Sequence, residues 1–208
     1  MSPNSADCWN WAPGSKGCFT TKRLNELLES KVLQCQDAVL GTIRNNLVPK
    51  NIELFVWRAR KGRLPTLPEL DKRGIDLNSA RCPICDDDIE SLDHSLLSCK
   101  FAWGIWEKIL EWLKARNIYT NNIRDLFDVE SGGNFSDVAK SNWQGIIWTS
   151  GYLILKNRND KVFKNKCWNV PVAVSEIQVK SYDWIAKRCK VKNLEWHNWL
   201  HNPSIYFS

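Results

Sequence analysis

The chain has 208 residues, 43% of them hydrophobic and 11% aromatic, with twelve tryptophans, eight cysteines and a formal net charge of +6. That length holds one large domain or two small ones, and the composition excludes a disordered chain. The sequence has no run of about 18 apolar residues, so no membrane helix is expected.

The opening segment, MSPNSADCWNWAPGSKGC, has no apolar stretch of the kind a secretory signal needs. The expected location is therefore intracellular, with nucleus and cytoplasm both open. In a reducing compartment the eight cysteines are not expected to form a disulfide framework. Four disulfides are the alternative, disfavoured by uneven spacing and by the length of the chain. The charge is unevenly spread. Residues 50–73 carry seven basic side chains against three acidic ones, and residues 156–192 carry ten against three. Residues 86–93 reverse the sign with Asp86, Asp87, Asp88, Glu90 and Asp93. Basic helix faces of this kind are either solvated surface or a site for an anionic partner.

In chain order, residues 1–19 read as turns and extended chain, rich in Pro, Gly, Ser and Trp. Thr20 and Thr21 are candidate caps for a helix over 22–33 with Leu24, Leu27, Leu28 and Val32 on its apolar stripe. Pro49 starts a second helix that sets Ile52, Phe55, Val56 and Ala59 on one face, and Gly62 ends it. A short helix follows, capped at Thr66 and stopped at Gly74. Residues 99–115 form a strong helix with Phe101, Ile105, Ile109 and Trp112 or Leu113 recurring at helical spacing. Trp103, Trp106 and Leu110 widen its apolar face. Residues 130–141 read as a loop or hinge around Gly132-Gly133. Long helices are predicted over 142–164, carrying Trp143, Ile146, Ile147 and Leu155, and over 172–189 after Pro171. The predicted class is mainly α: a small helical domain organised around a metal knuckle, followed by further helices. Its expected divisions are a lead-in over 1–46, a metal-binding domain over 47–115 and a basic, aromatic region over 130–208.

The chemistry-bearing stretch is CPICDDDIESLDHSLLSC, residues 82–99. Its spacing, Cys82-x2-Cys85-x8-His94-x4-Cys99, supplies four thiolate and imidazole donors, a preferred tetrahedral set for zinc. Four protein donors leave no position for water, so one Zn2+ here is expected to be structural. The competing readings are buried reduced cysteines, chance clustering, an iron–sulfur site and a redox Cys-x-x-Cys. The last would leave His94 and Cys99 idle and has no thioredoxin-like context. Asp86–Asp88 are expected to lie in a solvated loop. His197 and His201, four apart, are a weaker metal candidate without a cysteine nearby. Cys8, Cys18, Cys35, Cys167 and Cys189 are scattered and expected to be packing residues. The sequence shows no phosphate-cradling Gly loop, no Gly-x-Ser-x-Gly elbow and no convincing acidic pair for two-metal catalysis.

Several of these pieces occur together in one known family. Phe55-x-Trp57-Arg58, the turn Arg63 to Thr66, Arg73-Gly74-Ile75, Cys82-Pro83-x-Cys85, Glu90-Ser91, His94, Cys99 and Ile105-Trp106 follow in order. Together they resemble the reverse-transcriptase zinc-binding domain at the C-terminal end of plant LINE-type (non-LTR) retrotransposon polyproteins. The resemblance implies zinc binding and an accessory role in contacting RNA or DNA within an RNA-directed DNA polymerase polyprotein. It implies no polymerase activity in this chain, which carries no palm with paired aspartates. Arg58, Arg60, Lys61, Arg63, Lys72 and Arg73 are the candidate phosphate contacts, with low sequence specificity, and exposed Trp is expected to stack on bases. The alternative is a structural or protein-interaction domain that docks on a polymerase domain in cis or in trans, with zinc only holding the fold. No membrane partner is expected.

Overall fold

A computed structural model of the chain describes residues 11–12, 18–24, 27, 45–77, 79–115, 120–128, 136–188 and 194–203. The chain divides into two units, residues 1–43 and 44–208. In the first, Thr20 does cap a helix. Its Oγ1 accepts from Arg23 N–H at 3.3 Å, and residues 21–24 and 27 are helical. Trp11 meets Phe19 edge to face with centroids 5.0 Å apart. The predicted stretch 28–33 lies outside the described residues.

The second unit is mainly α. Among the described residues there is no strand, only one antiparallel bridge, Arg81 to Ile89. Helix α1 (Lys50–Arg60) buries Ile52, Phe55, Val56 and Ala59, the face that the 3.6-residue period predicts. Gly62, at φ 62°, then makes a Schellman stop: its N–H donates to Ala59 C=O at 3.0 Å, and Arg63 N–H to Arg58 C=O at 2.8 Å. Helix α2 (Leu67–Asp71) follows. Thr66 stands at its cap position but makes no side-chain cap bond. A π-helical turn (His94–Ser98) leads into α3 (Lys100–Trp112), which buries Ala102, Ile105, Trp106, Ile109, Leu110 and Trp112. Trp103 departs from the expected apolar face and is 46% exposed. A six-residue helix, α4 (Ile123–Asp128), was not foreseen; its Ile123, Leu126 and Phe127 are buried.

Helix α5 (Asp137–Lys164) is longer than expected. Part of the predicted 130–141 loop is its first turn, because Ser136 Oγ accepts from Ala139 N–H at 3.2 Å and Asp137 sits at the positive helix end. Gly132 and Gly133 lie outside the described residues. Along α5, residues 145–151 are buried in succession, the pattern of a helix enclosed on all sides. It packs against α1, α4, the π turn and α6 (Val170–Arg188). Helix α6 also lies on α3, offering Ala173, Ile177, Ser181 and Ile185 at four-residue intervals, and the short α7 (Trp196–His201) packs on α6. Helices from both sides of residues 129–135 therefore lie within one unit.

Indole N–H groups join these helices. Trp106 Nε1 donates to Leu96 C=O at 2.7 Å, Trp148 Nε1 to Phe127 C=O at 3.2 Å, and Trp199 Nε1 to Gln178 C=O at 3.2 Å. Buried Trp usually finds such a partner, so each ring supplies both apolar area and a fixed register. At the centre, Phe55 and Phe127 meet edge to face at 5.7 Å over Gly151. A Cβ on Gly151 would stand 2.7 Å from Phe127 Cζ. Gly151→Ala should therefore destabilise the protein by about 1–3 kcal/mol, although the same change in an exposed helix stabilises by about 1 kcal/mol. Urea unfolding followed by circular dichroism checks the sign.

Candidate metal centre

Cys82 and Cys85 lie on a turn closed at both ends. Asp86 N–H donates to Cys82 C=O at 2.9 Å, and Cys82 N–H to Asp88 C=O at 2.8 Å. Asp86 adopts φ 56°, a left-handed conformation that Asp tolerates better than most residues. The turn directs the amides of Ile84 and Cys85 to the Cys82 sulfur. The third and fourth donors come from the π turn. Its wide ring is closed by Cys99 N–H donating to His94 C=O at 2.8 Å. Single π turns are rare and often sit at functional sites. Cys99 then stands at the N-cap position of α3 without a side-chain cap bond, its sulfur near the helix N-terminus. A helix N-terminus favours thiolate over thiol.

The four ligand atoms of Cys82, Cys85, His94 and Cys99 all lie within 4.8 Å of one another. The two sulfurs of Cys82 and Cys99 are 3.9 Å apart, and Cys85 Sγ is 3.3 Å from His94 Nε2. Metal–sulfur bonds of about 2.3 Å in a tetrahedron place donors about 3.8 Å apart, so the cluster fits a tetrahedral ion. Hydrogen bonding from Cys99 lowers the Cys82 pKa, while that same contact and burial raise the pKa of Cys99. One proton shared between two buried sulfurs is the best the bare pair can do; a divalent cation lets both be thiolates.

Residues 19–106 match the family model described as zinc-binding in reverse transcriptase. The match takes in all four donors and ends inside α3. No curated protein and no solved structure matches the chain.

Around the four donors of this matched segment the acidic loop divides into two kinds of residue. Asp86, Asp87 and Asp88 are exposed, as expected. Asp88 Oδ2 lies 3.8 Å from His94 Nδ1, on the ring edge away from the sulfurs, where a carboxylate orients a ligating imidazole. Asp87 pairs with Lys100 at 2.8 Å and raises the lysine pKa, as do the nearby Cys85 and Cys99 to a smaller extent. Glu90 and Asp93, outside that expectation, are different. Asp93 Oδ1 accepts from Ile123 N–H at 2.8 Å and so caps α4. Glu90 is 1% exposed. Arg158 of α5 donates to both its oxygens, Nε to Oε1 at 2.7 Å and NH2 to Oε2 at 2.6 Å. Ser95 Oγ adds a bond at 3.0 Å and Leu67 N–H one at 2.6 Å. Nothing in the sequence separates Glu90 from the aspartates before it except its place in the Glu-Ser pair of the resemblance.

The six basic candidates also divide. Arg60 turns inward: it pairs with Asp128, lies over the Trp148 ring at 5.9 Å, and has its pKa lowered by burial against the pull of Asp128. Lys72 pairs with Glu69 at 2.7 Å. Arg58, Arg63 and Arg73 are exposed, Lys61 is half-buried, and Arg63 lies over the Trp57 ring at 5.6 Å. His197 and His201 stack with centroids 4.4 Å apart on α7, exposed, and join no third donor among the described residues. Cys18 and Cys167 are exposed rather than packed; Cys8, Cys35 and Cys189 lie outside the described residues.

Two outcomes are expected. Titration with Co2+ should give thiolate-to-cobalt absorption in the wild-type chain, and Cys99→Ser should lose it. Glu90→Gln keeps the shape but leaves Arg158 charged and buried, so it should cost about 3–5 kcal/mol in chemical unfolding.

Proposed function

We propose that this chain is a zinc-binding accessory module of the reverse-transcriptase type, derived from a non-LTR, LINE-like retrotransposon polyprotein of plant type as a C-terminal fragment. One Zn2+ held by Cys82, Cys85, His94 and Cys99 has a structural role. The observation that carries the reading is the closed donor cluster inside the matched segment: four protein ligands leave no open position for substrate or water. The metal supplies folding free energy, roughly 10 kcal/mol or more in small zinc modules, and no reaction step. Polymerisation belongs to a palm domain elsewhere in a parent polyprotein, and this chain has no polymerase activity of its own.

The module contacts RNA or DNA through basic residues flanking the knuckle. The exposed Asp86–Asp88 repel phosphate, so contact falls to Arg58, Arg63 and Arg73 and not to the metal loop itself. Such contacts position a strand without reading its sequence. The chain acts inside the cell.

Native mass spectrometry should show one zinc per chain. Filter binding of the zinc-loaded chain to RNA and DNA should weaken steeply with salt, with a slope set by the number of phosphates neutralised. Absence of binding to either at low salt would leave the structural role alone, a domain that docks on a polymerase domain or another protein.

A further inference from the structure

Helix α6 has two opposite stripes. Ala173, Ile177, Ser181 and Ile185 face inward, and Val172, Val179 and Ala186 recur at seven-residue intervals on the other side. Val172 is 49% exposed and Val179 43% exposed, and Ala186 is exposed as well. Val172, Ser175, Glu176 and Val179 stand at i, i+3, i+4 and i+7, the four corners of the hole that receives a knob from a facing helix. They do line a groove, and Trp168 and Pro171 continue its wall. The charges follow one flank of this apolar seam. Glu176, Lys180, Asp183 and Lys187 alternate in sign along it, while Ser175 and Tyr182 occupy the other flank. Asp183 and Lys187 pair with each other within the helix at 2.6 Å, and their side chains are still 44% and 67% exposed.

We propose that this face of α6 packs against the same face of a second copy of the chain, antiparallel and across a two-fold axis. The axis lies perpendicular to both helices, so each flank meets its own counterpart running the other way. A row of alternating charges read backwards is its own complement. In the register centred between residues 181 and 182, Glu176 faces Lys187 of the second copy and Lys180 faces its Asp183, each contact made twice by symmetry. These contacts add to the pair within each helix and do not require it to break. Ala186 of the second copy then comes over the Glu176–Val179 end of the groove. A parallel pair would instead set the charged flank against Ser175 and Tyr182. A helix of another protein is the competing occupant. The second copy is favoured because one stripe supplies the hole, the small Val and Ala knobs and the reversed charges together. Helix α6 has 19 residues and is about 28 Å long. One helix pair of that length makes a small interface, so the expected dimer is weak and reversible. The pairing is independent of nucleic-acid contact.

The test is sedimentation velocity of the zinc-loaded full chain over a range of concentrations, in reductant because Cys167, next to Trp168, is exposed. The wild-type chain should show a concentration-dependent monomer–dimer equilibrium. Val179→Lys changes a solvent-facing position of the monomer and should weaken the dimer about a hundredfold. Glu176→Lys sets lysine against lysine in both symmetry-related contacts and should weaken it about tenfold. Glu176→Lys combined with Lys187→Glu is complementary again when reversed and should restore the wild-type constant. Circular dichroism and zinc content confirm that each variant is folded. A dimer that survives Val179→Lys forms through another surface and overturns the pairing. A charge exchange that fails to restore the dimer overturns the antiparallel order. A wild-type chain that stays monomeric up to millimolar concentration overturns the proposal and leaves the groove to a helix of another protein.

Discussion

A single buried ion pair links the metal loop to the rest of the helical unit. Glu90, between the second and third donors, is held by the guanidinium of Arg158, 68 residues further along the chain. Both are almost without solvent exposure, so neither charge has water as an alternative partner. Two parallel N–H···O bonds fix direction as well as distance. Ser95 and the Leu67 amide use further lone pairs of the same carboxylate, so that one group ties together α2, the π turn and α5. Burying such a pair gains little net free energy; its effect is specificity, because an unsatisfied alternative is costly.

The metal cluster and the helical core are thus mechanically one object. The knuckle turn, the bridge from Arg81 to Ile89 and the π turn hold the donors from the sequence side. Trp106 holds them from the core side, through its bond to Leu96 within the π turn. A π turn is less favourable than an α turn of the same length. Here it joins two donors and is closed over by α3 and α5. Its position explains why an unusual backbone occurs at this point in an otherwise regular helical chain.

Charge is sorted by the same packing. Of five acidic residues between the donors, two are consumed inside the structure, one by Arg158 and one by the α4 cap. The remaining three surround the loop, with Asp87 matched by Lys100 and Asp88 near the imidazole. Of the six basic candidates, Arg60 is likewise consumed, against Asp128 and Trp148. A count of charges along the chain cannot make these distinctions, since an ionised side chain is equally plausible in water and in a matched pocket.

The local patterns were readable from the amino acids alone: the spacing of four donors, the apolar face of α1, the stops at Gly62 and Gly74 and most of the helices. Each depends on residues within a turn or two of one another, where periodicity and backbone preference act directly. The start of α5 was legible in principle, in Ser136 followed by Asp137, but the Gly-rich stretch before it masked the cap. Tertiary structure alone decided that Glu90 and Arg158 meet, that Trp103 faces outward while Trp106 faces in, and that Arg60 turns toward Asp128 and Trp148 while Arg58 is exposed. Those outcomes depend on which distant surface a side chain meets. Burial and pairing are properties of two segments brought together, and no single segment carries them.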